Sequence, residues 1–279
     1  YSRFALQGLS FTNNQVVLQA GHLELFTPTA WLWHRYLAPA AQPFIVLRDW
    51  QLQIAARARK ASSQGPSSSV FTNYSKLEGT LANLETWVPK ALLTNGVVEF
   101  QGQRFQVPTA EWKNAELTAE VALPAHEQLA RVQMNLQRGV PHTIQFSSST
   151  LELNGKLSVS SSPEGLSLGG TLFRLTNRVE LAARFGRTGW LPTNAHVQAE
   201  AFRIPAQRLA LKNYQDLKGS LSLTWQTNRY SLDLAATAHP FPQVHLPPLK
   251  AEVHARGDTN AAFIETARLR APWLSAQLS

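Results

Sequence analysis

The sequence predicts an all-β protein: an elongated, curled antiparallel sheet accompanied by one or two short amphipathic helices. Three observations carry that expectation. Runs such as Glu116 to Leu123 and Arg131 to Gln137 alternate polar and apolar residues, broken only at Ala122, the period of a strand with one apolar face. Turn residues interrupt these runs at intervals of roughly 8 to 14 residues. Helical spacing is confined to two short stretches, and the longer of them, Lys76 to Lys90, looks like the element around which the chain is organised.

Taken in order, Arg3 to Phe11 and Val16 to Phe26 read as strands joined by a hairpin turn at Thr12 to Gln15. Ala30 to Leu37 follows as an aromatic helix with Thr27 or Thr29 at its cap. Trp31, Trp33 and Tyr36 on it suit either the end of a sheet or a membrane surface, and sealing the sheet is the simpler role. Phe44 to Ile54 is a third strand. Residues 1–56 thus form an N-terminal β segment, and residues 57–75 a flexible polar loop rich in Ser, Gly and Gln. Residues 76–279 are a helix followed by a repeating β-meander. In the helix, Leu77, Leu81, Leu84, Val88 and Ala91 or Leu92 make one apolar stripe, Pro89 helps to end it, and Asn95-Gly96 marks a tight turn. Further on, Thr150 to Leu153 and Lys156 to Ser160 are expected to flank an Asn154-Gly155 hairpin turn. Arg208 to Leu211 reads as a strand, and Arg256-Gly257-Asp258 as a turn.

Composition narrows the function classes. The chain has 279 residues, 44% hydrophobic and 16% charged, with a net charge of +8 and no Cys. Disulfides and thiolate metal sites are therefore excluded, and no apolar run approaches the ~20 residues of a membrane-spanning helix. The start at Tyr1 reads as the cut end of a longer chain. Between Leu172 and Lys212 seven basic side chains stand against two acidic ones, a surplus of five. A basic sheet face suits anionic headgroups or is simply solvated. Nucleic acid is not the expected partner, because the Arg residues are scattered singly on strands without any basic-helix or RNP pattern.

The alternation raises a question of cover. The apolar halves of these strands carry many Leu and Val with interspersed Ala, and no series of helices is available to lie over them. One face must be covered by the sheet itself, by a partner or by a ligand. The residues expected to line such a face are Leu117, Val121, Val132, Met134, Leu136, Val179, Leu181, Phe185, Leu232 and Leu234.

Certain stretches resemble the AsmA/TamB family. They are Ala5-Leu6-Gln7-Gly8-Leu9-Ser10-Phe11 with the strand and Trp-rich helix after it, and the central helix with Trp87-Val88-Pro89. The same likeness covers Leu92 to Val98, Phe105-Gln106-Val107-Pro108, and the closing Ala267 to Leu274. The resemblance implies a taco-shaped β-groove lined with apolar residues. It also implies a periplasmic protein, anchored in the inner membrane through a segment outside this chain, that conducts phospholipid acyl chains between inner and outer membranes, with an outer-membrane protein as a partner. Some 15 to 18 strands at ~4.8 Å spacing would give a trough of about 70–85 Å. A chain of about sixteen carbons would gain ~10 kcal/mol there at ~0.8 kcal/mol per CH₂.

No catalytic constellation competes with that expectation. The eight His residues make no HxH, HxxxH or HExxH arrangement. Gly165-Leu166-Ser167-Leu168-Gly169 matches Gly-x-Ser-x-Gly, but like Gly169-Gly170 it lies inside a β run rather than a nucleophile elbow or a phosphate loop. No cofactor and no metal are expected. Two other readings remain: a structural or adhesive β-rich envelope protein with a packed interior, and a glycan-binding sandwich using Trp50, Trp112, Trp190 and Trp225 as platforms.

Overall fold

The computed structural model describes residues 2–13, 16–38, 42–54, 69–100, 102–122, 129–271 and 274–278. The protein is all-β, with a mostly antiparallel sheet and two α-helices. It divides into two compact units: Tyr1–Pro66 with Tyr74–Thr150, and Ser67–Asn73 with Leu151–Ser279.

The first unit holds eight strands that pair in chain order: β1 (Arg3–Asn13), β2 (Val16–Phe26), β3 (Ile45–Ile54), β4 (Lys90–Phe100), β5 (Gln103–Lys113), β6 (Glu116–Ala122), β7 (Leu129–Asn135) and β8 (His142–Ser148). All neighbours are antiparallel except β3 and β4, which run parallel. A parallel pair needs a crossover, and the connection contains the helix α2 (Val70–Trp87). The other helix, α1 (Pro28–Tyr36), follows β2. Thr27 holds its N-cap position with Pro28 at the first turn, but the Thr27 hydroxyl turns to the Ser2 carbonyl at 3.4 Å instead of capping. Trp31 stacks on Trp87 with ring centroids 5.4 Å apart and donates its indole N–H to the Trp87 carbonyl at 2.9 Å. Trp31 therefore packs against the end of α2, whereas Trp33 and Tyr36 stay exposed.

Two sequence expectations change here. Helix α2 begins six residues before Lys76, so 70–75 are helical and not loop; residues 55–68 lie outside those described. The missed start is Ser69, whose hydroxyl accepts the Thr72 N–H at 3.1 Å, a Ser cap in the middle of a Ser-rich run. Asn95-Gly96 is not a turn. It lies within β4 as a left-handed break in the pleat, with Asn95 at φ 52, and Ala91 and Leu92 belong to that strand.

The break is one of a series. Pairing skips a residue at Gly8 against Gly21, at Gly21 against Asp49, and at Asn95 against Pro108. Gly8, Asp49 and Asn95 all have positive φ, and Asn95 donates its side-chain N–H to the Asp49 carboxylate across the β3–β4 pair. At each of these positions both strands skip one residue, so the register is kept while the side-chain parity of each strand shifts by one. Apolar spacing therefore becomes two, three, two: Leu18, Ala20, Leu23, Leu25 on β2 and Ile45, Leu47, Trp50, Leu52 on β3. Because the shift occurs in register on neighbouring strands, the apolar residues remain on one face across the crease, as the cluster around Ala20, Trp50, Val107 and Ala110 shows.

The second unit holds β9 (Leu153–Ser162), β10 (Gly165–Arg174), β11 (Asn177–Gly186), β12 (Asn194–Ile204), β13 (Leu217–Gln226), β14 (Arg229–Ala238), β15 (Leu249–Asp258), β16 (Ala262–Ala271) and β17 (Leu274–Leu278). They form an antiparallel meander in chain order. Three expectations are corrected. Asn154-Gly155 lies inside β9 and pairs with Phe173 and Leu172, and the turn falls earlier, at 149–152. Arg208 lies in a 3-10 turn, Ala206–Leu209, and not in a strand. Arg256-Gly257-Asp258 ends β15; the turn comes next, where the Asp258 carboxylate accepts the N–H of Asn260 and of Ala261. Those two bonds hold its pKa below the ordinary carboxylate value.

Gly96 is a place of close approach, since a Cβ there would stand 2.0 Å from Trp50 Cε2. Gly96→Ala is expected to destabilise the protein by about 1–3 kcal/mol in urea unfolding, the usual cost of overpacking. In a Trp50→Leu background most of that extra loss should vanish; an undiminished loss would place the cost in the backbone instead.

Candidate functional site

The candidate site is the apolar face of each sheet. In the first unit, Leu117 and Val121 on β6 and Val132 and Met134 on β7 share one face. Leu117 pairs with Met134 and Ala119 with Val132, and β8 continues the face with Ile144 and Phe146. Leu136, just beyond β7, follows the same parity. At this end of the strands α2 lies over the face: Leu81 and Val88 pack with Ala91, Trp112, Ala115, Leu117 and Leu136. Trp112 donates its indole N–H to the Val88 carbonyl at 2.7 Å, and Tyr74 Oη lies 2.7 Å from His142 Nδ1. The cover is partial. No residue of α2 is buried, and Leu77 and Leu84 of the expected stripe are exposed. Trp50 and Trp112 are buried and present no stacking platform for a sugar.

In the second unit Val179, Leu181 and Phe185 on β11 lie beside Leu172, Gly170 and Leu166 on β10. Leu181 also pairs with Val197 on β12. Leu232 and Leu234 on β14 stand between Leu223 and Leu221 on β13 and Ala255 and Val253 on β15. All five sequence-predicted residues of this unit fall on one apolar face that runs from β9 to β15. The sequence reading left out Leu157, Leu168, Val197, Leu223 and Val253 on that same face. The signal for them was present, since each sits at even spacing from an apolar neighbour in its own strand.

What distinguishes this face is its lack of a sealing layer. Of its large side chains among the described residues only Leu166 is buried; the other buried apolar residues of the unit are Ala199, Ala206, Ala236, Ala238 and Tyr214. Leu157, Leu181, Val197, Leu223, Leu232, Leu234 and Val253 are all part-exposed. In a packed sandwich the facing sheet would bury them.

Aromatic rings keep the faces low. Trp50 lies over Gly96 in the first unit, and in the second Phe202 lies over Gly219 and Tyr230 over Gly257; a Cβ on any of the three glycines would collide with the ring. Laying a ring across a glycine fills the gap in the pleat without raising a side chain above the face.

The opposite faces are polar. In the second unit Ser158, Ser160, Arg184 and His196 line a shallow depression across β9–β12. Gln198, Ser222, Asp233, Glu252 and His254 contribute to another across β12–β15. His254 Nδ1 lies 2.6 Å from the Asp233 carboxylate. In the first unit Glu24 gathers His22, Arg48 and Arg3 at 3.0, 3.2 and 3.5 Å. The His22 hydrogen bond, then the Arg48, His22 and Arg3 charges, hold its carboxyl below the usual value against the opposing effect of burial.

No family model, curated protein or solved structure matches the chain. Among the described residues there is no group of three or more metal-ligating side chains, and no helix is long and apolar enough to cross a membrane.

Burial, and secondarily the charge of Glu78, push the Tyr74 hydroxyl up to about 12. The folded form holds this proton more tightly than the unfolded chain does, so its contribution is intact below pH ~10 and is lost as pH rises toward 12. Urea unfolding between pH 9 and pH 12, near the tyrosine range, should show that loss, and Tyr74→Phe should flatten it.

Proposed function

We propose that the chain is a non-enzymatic lipid-binding protein whose apolar β-faces take phospholipid acyl chains while the headgroups stay in water. The observation that supports this reading is the second unit's face: strands from β9 to β15 that direct Leu, Val and aromatic residues to one side, where among the described residues most of the large ones are only part-buried. Strands of about ten residues, at 3.3 Å per residue and ~4.8 Å spacing, make a surface about 33 Å across and on the order of 29 Å from β9 to β15. That is longer than an extended acyl chain of sixteen carbons. A face without fixed polar contacts holds methylenes by burial alone, so a chain can slide along it.

The same reading gives the protein the role of a bridge-like lipid carrier of AsmA/TamB type between the inner and outer membranes, in the periplasm. The first unit, with Trp50 and Trp112 buried in side-chain clusters, is the part that favours the alternative of a structural β-rich protein. The lipid face is therefore assigned mainly to the second unit.

Native mass spectrometry with lipid extraction tests the reading. Phospholipid should copurify with the chain. Leu181→Asp, which places a charge among Leu172, Val197 and Leu157, should reduce the bound lipid by about tenfold or more. Val132→Asp should give a smaller loss, and Glu180→Lys on the opposite face none. A stable, lipid-free wild-type chain would sink the proposal and move the structural alternative ahead.

A further inference from the structure

In the second unit the connections alternate between two edges of the sheet. The β10–β11, β12–β13 and β14–β15 connections share one edge, and hydrogen bonds stitch them together. Asn177 donates its side-chain N–H to the Arg203 carbonyl at 3.1 Å and accepts the Arg203 N–H at 2.7 Å, which ties the first connection to the second. The second and third are tied by Gln215 N–H to the His239 carbonyl, Phe241 N–H to the Asn213 carbonyl, and the buried Tyr214 hydroxyl to the Pro247 carbonyl at 3.0 Å. The Asp216 carboxylate accepts the Ala206 N–H and fixes the 3-10 turn. The edge is thus a built platform.

Its outward side chains are of two kinds. Leu175 on the first connection, Leu209 on the second and Phe241 on the third are 63, 48 and 41% exposed. Around them stand Arg174, Arg203, Arg208, Lys212, Lys218 and Lys250, all exposed and without an ion pair among the described residues. Arg178 is paired with Glu180. Asp216 and Glu152 are the acidic residues at this edge. At the opposite edge Arg187 and Arg229 are balanced by Glu164 and Asp258. Charge is therefore concentrated at one end of the strands, where unpartnered apolar side chains also project.

We infer that this edge, carried by Leu175, Leu209, Phe241 and the six unpaired cations, docks on the surface of an anionic lipid bilayer. Three apolar side chains reaching into the headgroup region, ringed by Arg and Lys, are the arrangement that binds an interface. Nucleic acid would use the cations but has no need of Leu175, Leu209 and Phe241. The inference deepens the lipid reading above and rests on it for its purpose, since it brings the end of every apolar strand to the layer from which acyl chains would enter.

Flotation of the purified chain with vesicles of phosphatidylglycerol and phosphatidylcholine, against phosphatidylcholine alone, tests it. Binding is expected only to the anionic vesicles and should weaken as salt is raised from about 0.1 M to about 0.5 M. Arg208→Glu with Lys212→Glu, a four-charge change, should reduce binding by about tenfold or more. Leu209→Ser with Phe241→Ser should weaken it even with the charges intact. Arg229→Glu at the opposite edge should change little. Circular dichroism checks that the variants remain folded. Binding that ignores the Leu209 and Phe241 changes, or retention on duplex DNA in place of vesicles, overturns the inference. Lipid carriage by native mass spectrometry needs no vesicle. A chain that carries lipid but does not float refutes the docking edge and leaves the apolar-face reading standing; a chain that floats but never carries lipid does the reverse.

Discussion

Side chains on a strand alternate with a period of two, so a sheet can keep one face apolar only if every strand holds its register against its neighbours. That constraint governs both units. A one-residue slip of β11 would turn Val179, Leu181 and Phe185 to water and bring Arg178, Glu180 and Arg184 to the apolar side. The polar face opposes such a slip: Arg178, Glu180 and Arg184 are exposed, and burying them without partners would cost several kcal/mol each. Register and face chemistry therefore support each other.

The breaks in the pleat of the first unit show how strictly that constraint is met. Asp49 and Asn95 adopt left-handed backbone conformations, which Asp and Asn tolerate better than most side chains do, and Asn95 reaches Asp49 to hold the two breaks side by side. Without the parity shift, Leu47 and Trp50 would point to opposite faces. With it, Trp50 can lie over Gly96 and join the cluster around Val107 and Ala110. The pleat is broken in order to keep the face whole.

The two units use the same pattern to different ends. In the first, α2 and the two buried Trp residues turn part of the apolar face into a side-chain core. In the second, α2 contributes only its beginning: Ser69 donates its hydroxyl to the Arg187 carbonyl at 2.6 Å, and Val70 N–H bonds the Gly189 carbonyl. The strands there keep an apolar side whose large residues are mostly only part-buried, and an edge that carries exposed apolar side chains among cations.

The sequence by itself determined the fold class, and it grouped neighbours such as Val132 and Met134 on one side, because alternation is a local property of a strand that keeps its pleat. It also placed most strands, such as Val16 to Phe26, since their limits are set by nearby turn residues. It misread Asn95-Gly96 and Asn154-Gly155, because a left-handed Asn or a Gly serves a break in the pleat or a strand interior as well as a hairpin, and only the neighbouring strand decides which. It missed the start of α2 because Ser69 is one Ser among several until its hydroxyl meets Thr72. Tertiary structure alone decided the parallel β3–β4 crossover, the exposure of the second unit's apolar face, and the gathering of Leu175, Leu209 and Phe241 at one edge. Each of these depends on which distant segments lie side by side, and that is settled by packing rather than by any local run of residues.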